Sequence, residues 1–508
     1  MGYSDSNNDA TVILGAGPAG LTAAWELCKA DRPVVVLEQD PVRVGGLSRT
    51  VDYKGFRFDI GGHRFFSKNP EIEALWTDIL GDRMLVRERL SRIYYRGRLF
   101  KYPLEIWDTL KNLGPSEAVA CVLSYLQARQ RSNADLRNFE DWVTHAFGSR
   151  LHHIFFKTYT EKVWGIPCTA ISADWAAQRI RGLSMLALFK AAVRWPWNGD
   201  APIIKTLVNH FRYPINGPGE MWEALAERIQ RRGATLRLGE RVSSIQRSGR
   251  AIGCVVTGGP DGERRYGAGH FVSTMPIRDL IAAMDPPPPP AIKQAAASLK
   301  YRDFLTVALI LDQAEVFPDQ WIYIHEPTVA VGRIQNFKNW SPAMVPDQRF
   351  TVLGLEYFCF EWDGLWRMPD HELIALARRE LAALGLARAA AVVDGVVVRQ
   401  RAAYPVYDHE YRGRVDRVRR FLHSEACNLQ LAGRNGMHKY NNQDHAMMTG
   451  LMAARNIMGA SYDPWRVNSD ALYLEEDSDG ELGSRLVPMS VAAEEIAPPA
   501  SPEEEEEG

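Results

Sequence analysis

The sequence predicts an α/β fold: a nucleotide-binding unit, interrupted by a mostly helical insertion and followed by a mixed β-sheet. Three observations carry this. An apolar run, Thr11–Leu14, leads through Gly15-Ala16-Gly17-Pro18-Ala19-Gly20 into an apolar-periodic stretch ending near Lys29, with a second apolar run at residues 33–38. Strand, glycine turn, helix and strand within about 30 residues make a β-turn-α-β unit. Residues 70–199 are aromatic-rich and poor in strand-like runs. From residue 235 to 398, short runs of apolar and β-branched residues recur, as strands do.

With 508 residues the chain is long enough for two or three domains. Hydrophobic residues make up 46% and charged residues 24%, which excludes collagen-like, fibrous and wholly disordered chains. Six cysteines stand apart with no CxxC pair, which fits a reducing, cytoplasmic setting and argues against a disulfide framework or a thiolate zinc site. The start, MGYSDSNNDA, lacks a signal-peptide apolar region, and no run of about 18 apolar residues predicts a membrane-spanning helix. The apolar stretch 183–197, interrupted by Lys190 and Arg194, is expected as a buried or cleft-lining helix rather than a membrane-surface one. The net charge of −2 hides an asymmetry: residues 475–508 hold twelve acidic residues and one arginine, so residues 1–474 carry about +9. A mildly basic body suits an anionic ligand, and nothing resembles a nucleic-acid module.

The elements follow in order. Residues 1–9 are expected as a flexible N-terminus, 10–69 as the Rossmann unit and 70–199 as a mostly helical substrate or lid region. The turn Asn216-Gly217-Pro218-Gly219 introduces a helix at 220–232. Residues 200–285 return to the nucleotide-binding unit, with strands at Thr235–Leu238 and 242–245. Five consecutive prolines, 286–290, predict a stiff extended connector. Residues 286–425 form a mixed-sheet substrate domain, with strands at 304–311, Trp321–Ile324, 351–360 and 392–398. Residues 426–474 complete the nucleotide-binding unit with a strand at 429–432, a polar stretch at 433–444 and a helix at 446–458. Residues 475–508 read as an acidic disordered tail.

The glycine fingerprint has a mechanism. Gly15 allows the tight turn, Gly17 lets the backbone approach a pyrophosphate, and Gly20 lets helix and strand pack closely. The helix N-terminus offers N–H groups and partial positive charge to phosphates. Glu38, 18 residues after Gly20, ends the second strand and can accept hydrogen bonds from ribose hydroxyls. The fingerprint leaves FAD and NAD open. The chain shows no Ser/His/Asp triad and no metal-ligand spacing, so no metal is expected.

Gly45-Gly46-Leu47-Ser48-Arg49-Thr50 comes next, then Phe58-Asp59-Ile60-Gly61-Gly62-His63. With the fingerprint, these segments resemble the amine oxidase, phytoene desaturase and protoporphyrinogen oxidase group of flavoproteins. The resemblance implies FAD. It puts Gly45, Gly46, Leu47, Ser48 and His63 at the flavin end of the cofactor and Val242 at the adenine. Gly433, Arg434 and Asn442 then lie over the ribityl chain and pyrophosphate.

Within that group the chain resembles the UDP-galactopyranose mutase family over about residues 10–460. Residues 62–67 (GHRFFS) are similar to its flavin-face motif Gly-x-His-x-Phe-His. Residues 159–165 (YTEKVWG) are similar to its Tyr-Thr-x-Lys-Gln-Trp-Gly, and residues 404–408 (YPVYD) to its Tyr-Pro-Val-Asn-Asp. Arg333, before a polar-aromatic run, and the segment from Gly433-Arg434 through Tyr440 and Asn442 to Asp444 also correspond. Leu183 stands where that family has a further substrate Arg, with Arg179 and Arg181 nearby. Phe66 stands for its second His, and Asn442-Gln443-Asp444 for its Asp-Met-Asp. The resemblance implies pyranose/furanose ring isomerisation of a nucleotide-diphosphate sugar through N5 of reduced FAD. Arg333, Tyr404 and Tyr440 would hold the diphosphate, with His63, Tyr159 and Trp164 in the cleft. A guanidinium grips two phosphate oxygens and a phenol adds a charge-assisted hydrogen bond. The rival is an amine oxidase- or desaturase-like oxidoreductase removing hydride from a small organic substrate, toward which residues 211–221 (FRYPINGPGEM) also point. Lys162 is read as a surface partner of Glu161, and Trp195 and Trp197 as core. A small-molecule substrate is expected, with no nucleic-acid or membrane partner, and a homodimer is left open.

Overall fold

The computed structural model describes residues 9–468 apart from 103, 105, 131–135, 174–209 and 260–261. The expected helix at 183–197 with Trp195 and Trp197, the residues Arg179, Arg181 and Leu183, and the tail 475–508 lie outside the described residues, as do residues 1–8.

Thr11–Leu14 is the centre of a five-stranded parallel sheet, in the order Leu429–Leu431, His270–Ser273, Thr11–Leu14, Val34–Glu38, Thr235–Leu238. One face is covered by the helix Pro18–Lys29, itself packed between Gly219–Arg231 and Gln443–Ile457. The closeness of that packing is set by glycine: a Cβ on Gly450 would collide with the carbonyl of Ala19. The other face is covered by Ile277–Ala282, Pro290–Ala297 and Tyr411–Glu425 through Leu280, Ala296, Val418 and Leu422.

The second body is a seven-stranded sheet in the order Val392–Pro405, Tyr301–Leu311, Thr351–Cys359, Arg333–Asn336, Trp321–Ile324, Ser91–Tyr95, Arg98–Lys101. Its pairs are antiparallel except Trp321–Ile324 with Ser91–Tyr95. The period of two separates its faces. Leu305, Val307, Leu353, Leu355 and Ile334 pack on the helix Asp370–Ala383. Phe304, Thr306, Glu356, Phe358, Arg333 and Gln335 alternate with them and so face the nucleotide-binding half.

Three expectations are corrected. Residues 84–101, placed in the mostly helical stretch, form Met84–Glu88, Ser91–Tyr95 and Arg98–Lys101; the last two extend the substrate sheet, where the apolar faces of Ile93 and Phe100 are buried. The run at 242–245 is part of a longer strand, Arg241–Ser248, followed by Ala251–Gly259 and Gly262–Gly267 in an antiparallel sheet. The proline connector is shorter than five residues because Pro290 opens the helix Pro290–Ala297, a position that needs no N–H donor.

Candidate active site

The nucleotide cradle forms where the first strand meets the first helix. A Cβ on Gly20 would strike the carbonyl oxygen of Gly15, so this crossing needs glycine. Gly46 (φ +53°) lies across from Gly17, and a Cβ there would stand 3.3 Å from the Gly17 Cα. The Gly45 N–H donates to the Ala16 carbonyl at 2.8 Å, which holds the second glycine pair over the first. The helix Pro18–Lys29 begins with no side-chain cap and no acidic residue in its first turn, leaving its N-terminus to a ligand's phosphates. Glu38 closes the cradle from below. Its carboxylate accepts from the Ala16 N–H at 2.8 Å and the Asp40 N–H at 2.9 Å, and burial pushes its pKa up. Each oxygen keeps a lone pair for a ribose hydroxyl. The Glu240 N–H donates to the Glu38 carbonyl at 2.8 Å, which anchors the loop leading into the strand that carries Val242. Gly433 packs on Ala19, where a Cβ would come within 3.1 Å of the alanine Cβ. Asn442 is the N-cap of Gln443–Ile457, in a capping box with His445.

Leu47 and Ser48 sit in a single 3₁₀ turn, Gly46–Ser48. Leu47 reaches across to Ile60, Phe304, Phe358 and Tyr404, so the flavin-end segment and the substrate sheet share one apolar cluster. His63 Nε2 lies 2.8 Å from the Ile60 carbonyl, which can only accept, so this nitrogen carries the proton. Burial, with Arg434 and Arg333 nearby, lowers the His63 pKa to about 4, and the ring is neutral at pH 7. A Cβ on Gly61 would stand 3.7 Å from His63 Nε2 and 3.8 Å from Arg333 Nη2. The glycine loop therefore brings the expected flavin-side histidine and substrate-side arginine to one place.

Arg333 is held by the sheet register. It lies directly opposite Glu356 on one side and Tyr323 on the other. Its Nε donates to the Glu356 carboxylate, which is fully buried, and Gln335 Nε2 donates to the second carboxylate oxygen at 3.0 Å. Burial pushes the Glu356 pKa up and the two donors pull it back; burial opposes the Arg333 charge, but Glu356 together with Tyr404, Tyr159 and Tyr323 more than offsets it, so the guanidinium stays protonated. Arg333 Nη2 approaches the Tyr404 hydroxyl at 3.5 Å. Tyr404 follows a bulge in the strand Val392–Pro405, where Ala402 has φ +51° and its N–H donates to Asp303 at 2.8 Å. Such a bulge re-aims the next side chains. Tyr404 stacks on Tyr440 with centroids 5.6 Å apart at 14°. Trp164 lies edge-on to Tyr404 at 6.5 Å and 6.1 Å from Tyr440. Tyr159 stacks on His325 at 4.9 Å, and burial raises its pKa well above the usual phenol value. The five residues expected on the substrate side thus form one wall.

Glycine cradle, uncapped helix and buried strand-end carboxylate fit a dinucleotide. The sequence profile of flavin containing amine oxidoreductases matches residues 18–458. The chain belongs to this family. Its cofactor is FAD, and the cradle residues fit that group. Among curated relatives, an L-glutamate oxidase precursor of Streptomyces viridosporus is 36% identical over 96 residues, 18% of this chain and 13% of that protein. A phytoene dehydrogenase of Streptomyces griseus is 26% identical over 275 residues, 49% of this chain and 51% of that protein. The matches therefore span about half of the phytoene dehydrogenase and a smaller part of the oxidase precursor. The solved structure of reduced UDP-galactopyranose mutase superposes with TM-score 0.77 at 23% identity, over 91% of this chain and 99% of that one. Putrescine oxidase bound to putrescine superposes with TM-score 0.58 at 18% identity, over 89% and 99%. At these identities the likeness is one of fold. No helix among the described residues is long and apolar enough to cross a membrane, and no group of potential metal ligands occurs among them.

Two site features differ from the sequence reading. Arg434, expected at the cofactor, lies over the rings of Tyr404 (5.4 Å) and Tyr440 (4.9 Å) and donates to the Asn441 carbonyl at 2.9 Å and the Ala403 carbonyl at 3.0 Å. It pins the two tyrosines. Lys162 is not a surface partner of Glu161. Its ammonium is buried and donates to the carbonyls of Glu326 (2.6 Å), Val331 (3.1 Å) and Ile324 (3.4 Å), while Glu161 accepts from the Cys168 N–H at 3.1 Å. Lys162 thereby ties the helix of Tyr159 and Trp164 to the loop before Arg333. Glu356 escaped the sequence reading. Its signal was a lone carboxylate in the apolar run Thr351–Cys359.

Proposed function

We propose that this FAD enzyme isomerises the ring of a nucleoside-diphosphate sugar with its cofactor reduced. The observation that carries the reading is the charge of the cleft. Among the described residues, two guanidiniums, Arg333 and Arg434, meet one carboxylate, Glu356, and a histidine neutral at pH 7. Such a cleft favours an anion over an ammonium. Arg333 presents its Nη edge, because Nε is taken by Glu356. Burial lifts the Tyr404 pKa to about 12, so this phenol keeps its proton and donates to a phosphate oxygen. Tyr440 stands beside it, and Tyr159 and Trp164 exclude water. The reduced cofactor supplies a nucleophilic nitrogen for a reaction that is redox-neutral in sum. Little side-chain acid–base chemistry is then required.

The family's own chemistry, hydride removal, is the alternative. The ring spacing weighs against an amine held between Tyr404 and Tyr440. At 5.6 Å the stacked rings leave no slot, since a flat group between two rings needs about 7 Å. Titrating UDP against the flavin absorbance tests the proposal. UDP should bind the wild type, and Arg333→Ala should weaken it by about 2–5 kcal/mol while FAD stays bound. The dithionite-reduced enzyme should convert a nucleotide sugar to its ring isomer. Absence of nucleotide binding, with stoichiometric peroxide from the oxidised enzyme and an amine, would replace the proposal by the oxidase reading.

A further inference from the structure

The helix Tyr411–Glu425 buries Val415, Val418 and Leu422 against the nucleotide-binding sheet. Its outer side is basic on balance, with the exposed Asp416 beside two arginines. Arg417 and Arg420 are exposed, three residues apart on one face, and have no ion-pair partner among the described residues. Ser424 continues that face one turn on. There it lines an open groove of about 890 Å³ with Lys293, Phe421 and the prolines at 287–290. Lys293 is exposed and likewise without an ion-pair partner among the described residues. The one acid in the groove, Glu425, faces Arg247 at 3.6 Å. The groove thus joins a cationic edge to an apolar wall.

The described chain ends beside this helix. Asp463 meets Arg419 at 3.3 Å, and the Arg419 guanidinium lies 4.9 Å from the Trp465 ring. The segment that follows is the most acidic of the sequence, with twelve carboxylates and one arginine in residues 475–508, interspersed with Pro, Ala and Val. Seven residue steps lead from Asn468 to Glu475 and can span up to about 24 Å, slightly more than the roughly 22 Å of a 15-residue helix. Asn468 Nδ2 donates to the Tyr440 carbonyl at 2.9 Å, and the 34 residues from 475 to 508 give the segment ample length to run from there along the helix. We propose that residues 475–508 dock on the face formed by Arg417, Arg420 and Lys293, with carboxylates on the cations and Pro/Ala stretches against Phe421 and the proline wall. The docked segment withholds this face from other polyanions. The proposal does not depend on the substrate.

Zero-length carbodiimide coupling of the FAD-loaded full chain, mapped by mass spectrometry, tests it. At about 0.02 M NaCl, Lys293 should form an amide with a glutamate of residues 475–508 within a single chain. Raising NaCl to about 0.5 M shortens the screening length from roughly 20 Å to roughly 4 Å and should cut the yield at least about five-fold. Arg417→Glu with Arg420→Glu should do the same at low salt, with FAD content unchanged. If that double variant fails to fold, the salt dependence in the wild type still decides. Three results would overturn the proposal: no Lys293 coupling to the segment, coupling indifferent to salt, or coupling only in covalent dimers, which would make a second copy the occupant.

Discussion

Replacing Glu356 by Gln removes one buried charge and little else. The carbonyl of the new amide can still accept from Arg333 Nε, and Gln335, whose Oε1 has no partner, can turn its amide to accept from the new N–H₂. Two effects of opposite sign follow. Without ligand, Arg333 loses its counter-ion in a buried site, a loss of about 3–5 kcal/mol when nothing compensates and less here because the hydrogen bonds survive. The thermal midpoint should fall. With ligand, the balance reverses. A phosphate within reach of the Arg333 Nη edge would stand roughly 7 Å from the Glu356 carboxylate, and removing that repulsion at an effective dielectric of about 20 is worth about 2 kcal/mol. Glu356→Gln should therefore bind UDP about 30- to 60-fold more tightly, while a neutral apolar ligand gains nothing. The assays are UDP titration by flavin absorbance and thermal melting at fixed pH. A variant that melts lower but binds UDP no better, or worse, would refute the placement of the phosphate on Arg333.

Three further outcomes can be measured. Glu38→Ala strips the acceptor from the Ala16 and Asp40 N–H groups as well as from the ribose, and should weaken FAD by about 1–3 kcal/mol, read as flavin fluorescence released on dilution. Lys162→Met leaves three loop carbonyls without their donor, and should weaken UDP by several-fold with FAD retained; unchanged UDP affinity would separate Lys162 from the site. His325, buried against Tyr159, has its pKa lowered to about 3 by burial, so between pH 6.5 and 3 the unfolded chain takes up a proton that the folded chain refuses. Stability is lost as pH falls through this window, by about 2 kcal/mol from pH 7 to pH 5. His325→Phe keeps the ring stack and should shrink the acid-induced drop in melting temperature; an equal drop in both proteins would contradict it.

The parts of the fold legible in the sequence are those whose signal is local. The glycine crossing at Gly15 and Gly20, Glu38 at a strand end, and the apolar runs at Thr11–Leu14 and Trp321–Ile324 each declare themselves within a few residues. His270–Ser273 does not, although it pairs with the first strand along its whole length, because four residues following a Gly/Arg-rich hairpin give no periodicity to read. Ser91–Tyr95 is hidden among helix-forming residues and earns its strand state from a distant neighbour, Trp321–Ile324, while Arg98–Lys101 joins the sheet by pairing with Ser91–Tyr95. Arg333, Tyr404 and Tyr440 were reached through motif resemblance, whereas Glu356 needed the register that sets it opposite Arg333. Lys162 shows the same limit. Glu161 beside it suggested a surface pair, but the ammonium finds its acceptors more than 160 residues away.

The family alone leaves the reaction open, and Glu356 is the residue on which an oxidase reading would lean, because a buried carboxylate beside stacked tyrosines suggests a site for a cationic amine. The register argues otherwise. Both carboxylate oxygens are occupied, one by Arg333 Nε and one by Gln335 Nε2, and the side chain is wholly buried behind them. An ammonium could reach it only by displacing Arg333, leaving that guanidinium without its counter-ion while Arg434, over Tyr404 and Tyr440, repels the newcomer. Glu356 therefore acts on the arginine rather than on the substrate. It takes the Arg333 Nε and leaves the Nη edge free, and under the proposed function it would temper the field that a diphosphate meets there. A carboxylate that in isolation would signal a cation is, at this position in the sheet, the counter-ion of Arg333, and the proposed function makes that arginine the clamp of an anion.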